Sequence, residues 1–583
     1  MDPRLSMPGF NLPLDSRPKP NVLFEGFTGF PMGLDVDAEL IGERSFYVRD
    51  HTTPEEVLMM QVMNEITEKP QWAQKVLDES IAADWVDEIA QTDRRMTRSM
   101  KNWIYKELRW KAEMLEKNGF VLVFDVGVVK SDNAISEDDQ QALKNAVKLF
   151  DNNGIPGDQE DYRTASDDQG VDLVDPSLFP VVYGQTRVLP DHTIGLSDYL
   201  NYIGEGELLP VPSNGFGGSV GEKFSYLVTD RGDLPYFSTH SQWLPCEVEL
   251  LDDGCRIMSY INNAHPVQHK ALYKVIEKII TRAVPLWEKS LSFFSPDRQR
   301  RTEYSAHPEH QTHIPNGHAH VRDGPEMVLP GSQGFADPRA YELNLRKHFP
   351  NSMLQVIVKL SNIELTPEKP NFEEGPWQIE GQLNERICAI AIYHYDSKNV
   401  TEHQVHFCQR GVYDMDGYRT QHEPQDHRSV QAAFGFGDKS DQNRPTRKML
   451  DLGGVSCKQG RLITFPNTVQ HGVGSFSLVD PSQPGHVKIL SLFLVDPHLR
   501  IISSANVPPQ RDDWAREKRK VVGQATSQLP PNVRAMIKKY IATPMNAEDA
   551  KKLRIDHMLE RDIRSEYSDF IFREGYLHNR GQH

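Results

Sequence analysis

Two pieces of this chain constrain its fold more than the rest: the run Trp377-Gln378-Ile379-Glu380, followed by an apolar stretch from Ile387 to Tyr393, and the segment Phe465-Pro466-Asn467-Thr468-Val469-Gln470-His471 about ninety residues later. Side chains two apart on a strand point the same way, so 378 and 380 share a face. Ile387 to Tyr393 is apolar at every position but the last, as expected of a strand covered on both sides. A polar side chain, a spacer, a carboxylate and a distant histidine are the means by which a double-stranded β-helix holds Fe(II). Neighbouring strands bring both halves to one mouth and leave coordination positions open. One element departs from that pattern: where it asks for His-x-Asp/Glu, this chain has Gln378-x-Glu380.

Composition excludes several other classes. The net charge of −17, with acids and bases mixed along all 583 residues, argues against nucleic acid and in favour of a small-molecule partner. Five cysteines (Cys246, Cys255, Cys388, Cys408, Cys457) without CxxC spacing form no disulfide framework, and they suit a reducing, cytoplasmic compartment. The longest apolar run, around Ile489 to Val495, is far too short to span a bilayer.

In chain order, residues 1–50 read as an irregular Pro- and Gly-bearing arm. Residues 51–223 read as mainly helical. Thr53-Pro54-Glu55-Glu56 is a capping box opening a first helix, and Phe120 to Val129 is a single buried strand within this region. A core spans 224–505. It contains strands over Ser241–Val248 and Cys255–Ile261, then a helix whose Leu272, Val275, Ile276, Ile279, Ile280 and Ala283 form one apolar stripe. Five histidines in fourteen residues (His307, His310, His313, His318, His320) match no established tetrahedral set and read as a surface loop over a site. Residues 506–583 read as helices that close the core or form a homodimer contact.

Leu354 to Leu360 alternates like a strand and opens the catalytic part. Lys488, on the strand after His471, offers a cation for the far carboxylate of a dicarboxylate co-substrate such as 2-oxoglutarate. At these residues the chain resembles the fungal domain-of-unknown-function family forty-two forty-six, over Leu354–Pro370, Trp377–Tyr393, Gly460–His471 and Gly485–Pro497. That family's central element reads Trp-His-Val-Glu-Gly. The resemblance implies a cupin-like Fe(II)/2-oxoglutarate oxygenase, acting on a small organic molecule and belonging to secondary metabolism. Glu380 then matches the carboxylate ligand, His471 the distal histidine and Lys488 a basic position, while Val487 replaces a family arginine and Gln378 the first histidine.

Three readings compete. The first is an oxygenase with Gln378, Glu380 and His471 around Fe(II). The second is a pocket that has lost iron, binding a ligand or running isomerase or lyase chemistry with His471 and Glu380 as base and acid. The third moves iron to His394-Tyr395-Asp396. The expected architecture is α/β, a double-stranded β-helix wrapped by N- and C-terminal helices.

Overall fold

The computed structural model describes residues 6–18, 29–34, 52–90, 95–151, 169–212, 237–292, 343–350, 352–410, 449–516 and 544–574, with short pieces at 164–165, 301, 303–305, 326–328, 335, 518 and 528–533. The five-histidine stretch from His307 to His320, and most of the segment expected over the site, lie outside the described residues.

Helix α1 (Pro54–Ile66) opens on the expected capping box: Glu56 N donates to Thr53 Oγ1 at 3.1 Å, and Thr53 N donates to Glu56 Oε2 at 3.0 Å. Helices α2 (Glu79–Ala90) and α3 (Arg98–Asn118) follow. The single strand expected over Phe120–Val129 is instead a hairpin, β1 (Val121–Phe124) and β2 (Val128–Ser131). Gly127 makes the break: its φ is +92°, and a Cβ there would lie 2.4 Å from the Ser290 carbonyl. Apolar residues on both sides of that turn hide it in the sequence.

After α4 (Glu137–Asp151) come β3 (Thr164–Ala165), β4 (Gly170–Val174) and the hairpin β5 (Cys246–Leu251) and β6 (Gly254–Ile257). Helix α5 (Lys270–Leu291) leads to β7 (Leu354–Leu365), β8 (Ile387–Lys398), β9 (Gln404–Arg410) and β10 (Met449–Ser456). Strands β11 (Leu462–Pro466), β12 (Gln470–Val473) and β13 (Gly485–Val495) and the terminal helix α6 (Ala547–Glu574) follow, with shorter elements between them.

The protein is a mixed α/β structure around a large antiparallel sheet. Its order is β1-β2-β11-β8-β13-β7-β4-β3, with β5 also on β7 and β6 on β5. Strands β1 to β4 come from residues before 224, so the sheet crosses the boundary expected there. A second sheet, β10-β9-β12, packs onto it through Phe407, whose ring lies 5.0 Å from that of Phe465.

Both faces of the large sheet are buried. On the outer face Leu490, Leu492 and Leu494 of β13 join the cluster that contains the α5 stripe. Five large aliphatics of that stripe contribute roughly 10 kcal/mol gross, before side-chain entropy is counted. On the inner face Ile489, Phe493 and Val495 cluster with Phe407, Val405 and the N-terminal helices. Among the described residues no helix is long and apolar enough to cross a membrane.

Candidate functional site

Gln378 and His471 meet as an isolated antiparallel pair that extends the β10-β9-β12 sheet. Gln378 N donates to the His471 carbonyl at 2.8 Å and His471 N to the Gln378 carbonyl at 3.0 Å. Residues paired in this way project from the same face. His471 also pairs with Phe407 on β9, and its ring lies 4.8 Å from that of Phe465, so this face is the inner one.

Three residues beyond Gln378 the chain turns at Gly381, whose φ is +79°. A Cβ there would come within 2.6 Å of the Ile387 side chain and 2.8 Å of Glu385. Glu380 is thereby carried to the imidazole: its Oε1 lies 3.4 Å from His471 Nε2, with the two side chains 19% and 7% exposed. Gln378 itself is exposed at the mouth.

Asn467 fixes this geometry. Its Oδ1 accepts from Glu380 N at 2.9 Å, and its Nδ2 donates to the carbonyls of Glu380 at 2.8 Å and Ile387 at 3.0 Å. The N-terminal arm lies against the same spot, because Gly33 N donates to the Asn467 carbonyl at 2.9 Å and a Cβ on Gly33 would meet Ile379 Cδ1 at 2.5 Å.

Helix α6 closes the other side. Arg561 pairs with Glu385 and stacks 3.9 Å over Trp243, while Ser565 Oγ donates to the Trp377 carbonyl at 3.5 Å. Burial disfavours charge on Glu380, yet the hydrogen bond and charge of His471, with Lys359 and Arg561 nearby, hold its carboxyl below the usual range.

Lys359 is the residue sequence reasoning missed. On β7 it alternates with Val358 and Leu360, which belong to the outer cluster, and shares its face with Ile357, which belongs to the inner one. It lies opposite Ser491 of β13, with its Nζ 3.5 Å from Asp172 Oδ1 and its side chain 31% exposed. Burial opposes its charge, but Asp172, Asp175 and Glu380 raise its pKa. One cation within the apolar run Leu354–Leu360 was the available signal.

Lys488 is placed differently. It alternates with Val487 and Ile489 of the inner cluster and pairs in register with Asp396, so it lies on the outer face and does not join Glu380 and His471. Nor do His394 and Asp396 act together. A bulge separates them: Asp396 faces Lys144 at 2.7 Å and His486 at 3.1 Å, whereas His394 turns inward towards His403 and Cys457. His422, Asp426 and His427 lie outside the described residues.

The family model described as "Protein of unknown function (DUF4246)" matches residues 98–518, and that described as "Domain of unknown function DUF4246, N-terminal" matches residues 7–88. No curated protein matches the chain. Among solved structures, the Fe(II)/(alpha)ketoglutarate-dependent dioxygenase TqaL is 8% identical over 64% of this chain and 96% of its own, with a TM-score of 0.20. IDO from Bacillus thuringiensis is 9% identical over 30% of this chain and 69% of its own, with a TM-score of 0.13. EvdO2 from Micromonospora carbonacea var. aurantiaca, solved alone and with 2-oxoglutarate, is 12% identical over 25% of this chain and 54% of its own, also at 0.13.

Proposed function

This chain belongs to the DUF4246 family of unknown function, and from that premise we propose that it is an Fe(II)/2-oxoglutarate-dependent oxygenase acting on a small organic molecule. The observation that carries the reading is the meeting of Glu380 and His471 on the inner face, with Glu380 Oε1 and His471 Nε2 3.4 Å apart and the backbone of Gln378 paired with that of His471. Two adjacent ligands, each about 2.1 Å from a shared ion, lie roughly 3 Å apart, so this pair needs little adjustment. A carboxylate oxygen, an imidazole nitrogen and an amide oxygen form a donor set compatible with Fe(II). The order β11-β8-β13-β7, faced by β10-β9-β12 and the Gln378 bridge, supports a double-stranded β-helix with this site at its mouth.

Glu380, His471 and the Gln378 amide would hold the metal. Iron with 2-oxoglutarate would supply O₂ activation and oxidation of a substrate C–H bond. Lys359, opposite Ser491 on the inner face, replaces Lys488 as the cation for the distal carboxylate of 2-oxoglutarate. Glu380 stays ionised because His471, Lys359 and Arg561 favour its charge. Asn467 keeps its backbone in place, while the arm around Gly33 and helix α6 shield the mouth from water.

Anaerobic titration of the metal-free protein with Fe(II) and then 2-oxoglutarate tests this. A visible charge-transfer band should appear and be lost in Glu380→Ala and His471→Ala. Its absence at millimolar iron would refute the oxygenase reading and leave Glu380 and His471 as a metal-independent acid–base pair.

A further inference from the structure

Strand β8 carries a second histidine into the space between the sheets, well away from Glu380. His394 shares the inner face of β8 with Ile390 and Ile392, and it is 1% exposed. Across from it the β9–β10 ladder continues one step beyond Gln404 and Ser456, because Cys457 N donates to the His403 carbonyl at 2.9 Å. His403 and Cys457 therefore stand opposite one another and face the same way. The ligand atoms of His394, His403 and Cys457 all lie within 4.8 Å of one another.

Hydrogen bonding does not account for the burial of His394. His394 Nδ1 is buried without a partner, and for His403 Nδ1 the contact is the Thr401 carbonyl at 3.3 Å. Packing explains one ring, since His403 stacks on Phe476 at 4.4 Å, but it leaves Nδ1 of the buried His394 without a partner.

We propose that His394, His403 and Cys457 form a zinc site, separate from the Glu380–His471 site, that clamps strand β8 to the β9–β10 end of the second sheet. Two imidazoles and a thiolate suit Zn²⁺, whereas the harder donors at the mouth suit Fe(II). An equilateral triangle of 4.8 Å side has its centre about 2.8 Å from each corner, against ~2.0–2.3 Å for bound zinc, so closure asks roughly 0.5–0.8 Å of each ligand. His403 lies four residues along β9 from Phe407, the partner of His471, which separates the two sites by roughly 13 Å. On binding, the Cys457 thiol loses its proton to solvent and the sulfur bonds to the metal, leaving the fourth position to water.

Cobalt(II) reads thiolate ligation directly, so the test is a Co²⁺ titration of the metal-free full chain without 2-oxoglutarate. One equivalent should give a near-ultraviolet thiolate-to-cobalt band, displaced by Zn²⁺ and retained in the Glu380→Ala, His471→Ala double variant. Cys457→Ser should abolish the band, and His394→Gln, which leaves the sulfur in place, should weaken cobalt binding at least tenfold. Should Cys457→Ser fail to fold, the His394→Gln arm decides alone. Binding without a sulfur band, a band that survives Cys457→Ser, or unchanged affinity in His394→Gln would each overturn the proposal.

Discussion

Asn467→Ala is the perturbation whose effect can be worked most directly from the structure. Asn467 is 2% exposed, and its side chain makes three hydrogen bonds, one from Glu380 N and two to the carbonyls of Glu380 and Ile387. At about 1 kcal/mol each, their loss costs roughly 3 kcal/mol, a local opening constant more than a hundredfold larger. The cost falls on the Gln378–Glu385 loop rather than on the sheet, because the strand pairing of β8 and β11 does not pass through this side chain. Amide hydrogen exchange is therefore the assay. Protection of the Glu380 segment should drop by about two orders of magnitude while β13 exchanges as before, and Fe(II) affinity should fall with it. Asn467→Asp keeps the bond from Glu380 N but loses both donated bonds and adds a carboxylate beside Glu380, so it should lose about 2 kcal/mol or more. Unchanged protection at Glu380 in the alanine variant would refute the claim that Asn467 holds the carboxylate in place.

Gln378→His should raise Fe(II) affinity by tenfold or more in an anaerobic titration, since imidazole is the stronger neutral donor; no gain would count against Gln378 occupying a ligand position. Lys359→Met should weaken 2-oxoglutarate binding by about 10- to 150-fold, the worth of a charge-assisted hydrogen bond of about 1.5–3 kcal/mol, with Fe(II) affinity retained and Lys488→Met without effect. Stability should also respond to acid through Glu68. Burial would raise its pKa, but Lys130 and Arg461 outweigh burial and lower it from 4.5 to about 2. A depressed folded-state pKa contributes stability above pH 4.5 that is lost as pH falls from there towards 2. The contribution, about 3 kcal/mol at neutral pH, should disappear from chemical denaturation curves in Glu68→Gln, whose stability should vary less over that window.

The relation of Gln378 to Glu380 was legible because it rests on a period of two, a property of the local sequence, whereas His471, about ninety residues on, was reached through the spacing of the ligand pattern and the family resemblance. The relation of Lys359 and Lys488 was not, for a definite reason. When both faces of a strand are buried, alternation says that two residues are on opposite sides but not which side is inside. In β13 the outer face carries Leu490, Leu492 and Leu494, and the inner face Ile489, Phe493 and Val495. Nothing in those residue types distinguishes the layer beneath α5 from the space between the sheets. Lys488 is outside and Lys359 inside because of how neighbouring strands align. The helix stripe from Leu272 to Ala283 was readable for the converse reason: a helix with one apolar face has only one way to bury it. The contribution of β1 to β4 to the sheet was hidden because short strands such as Gly170–Val174 pair with residues nearly two hundred positions away.

Replacing a histidine by Gln378 changes less at this site than replacing a charged ligand would. Gln and neutral His carry the same formal charge, so the electrostatic balance of the proposed complex is unaffected. Fe(II) contributes +2, Glu380 −1, 2-oxoglutarate −2 and Lys359 +1, and the sum is zero in a space where an unbalanced charge is costly. Asp172, whose carboxyl burial raises to about 6, is still mostly ionised at neutral pH, and it is Arg554, 3.5 Å from its Oδ2, that offsets its charge. Substitution at 378 should then act on donor strength alone and move metal affinity without moving the charge requirement of the co-substrate. Substitution at Lys359 should act the opposite way, leaving the metal ligands intact and removing the cation that compensates the second carboxylate. If Gln378→His and Lys359→Met instead changed the same quantity, the separation of ligand and counter-charge between the two sheets would be wrong.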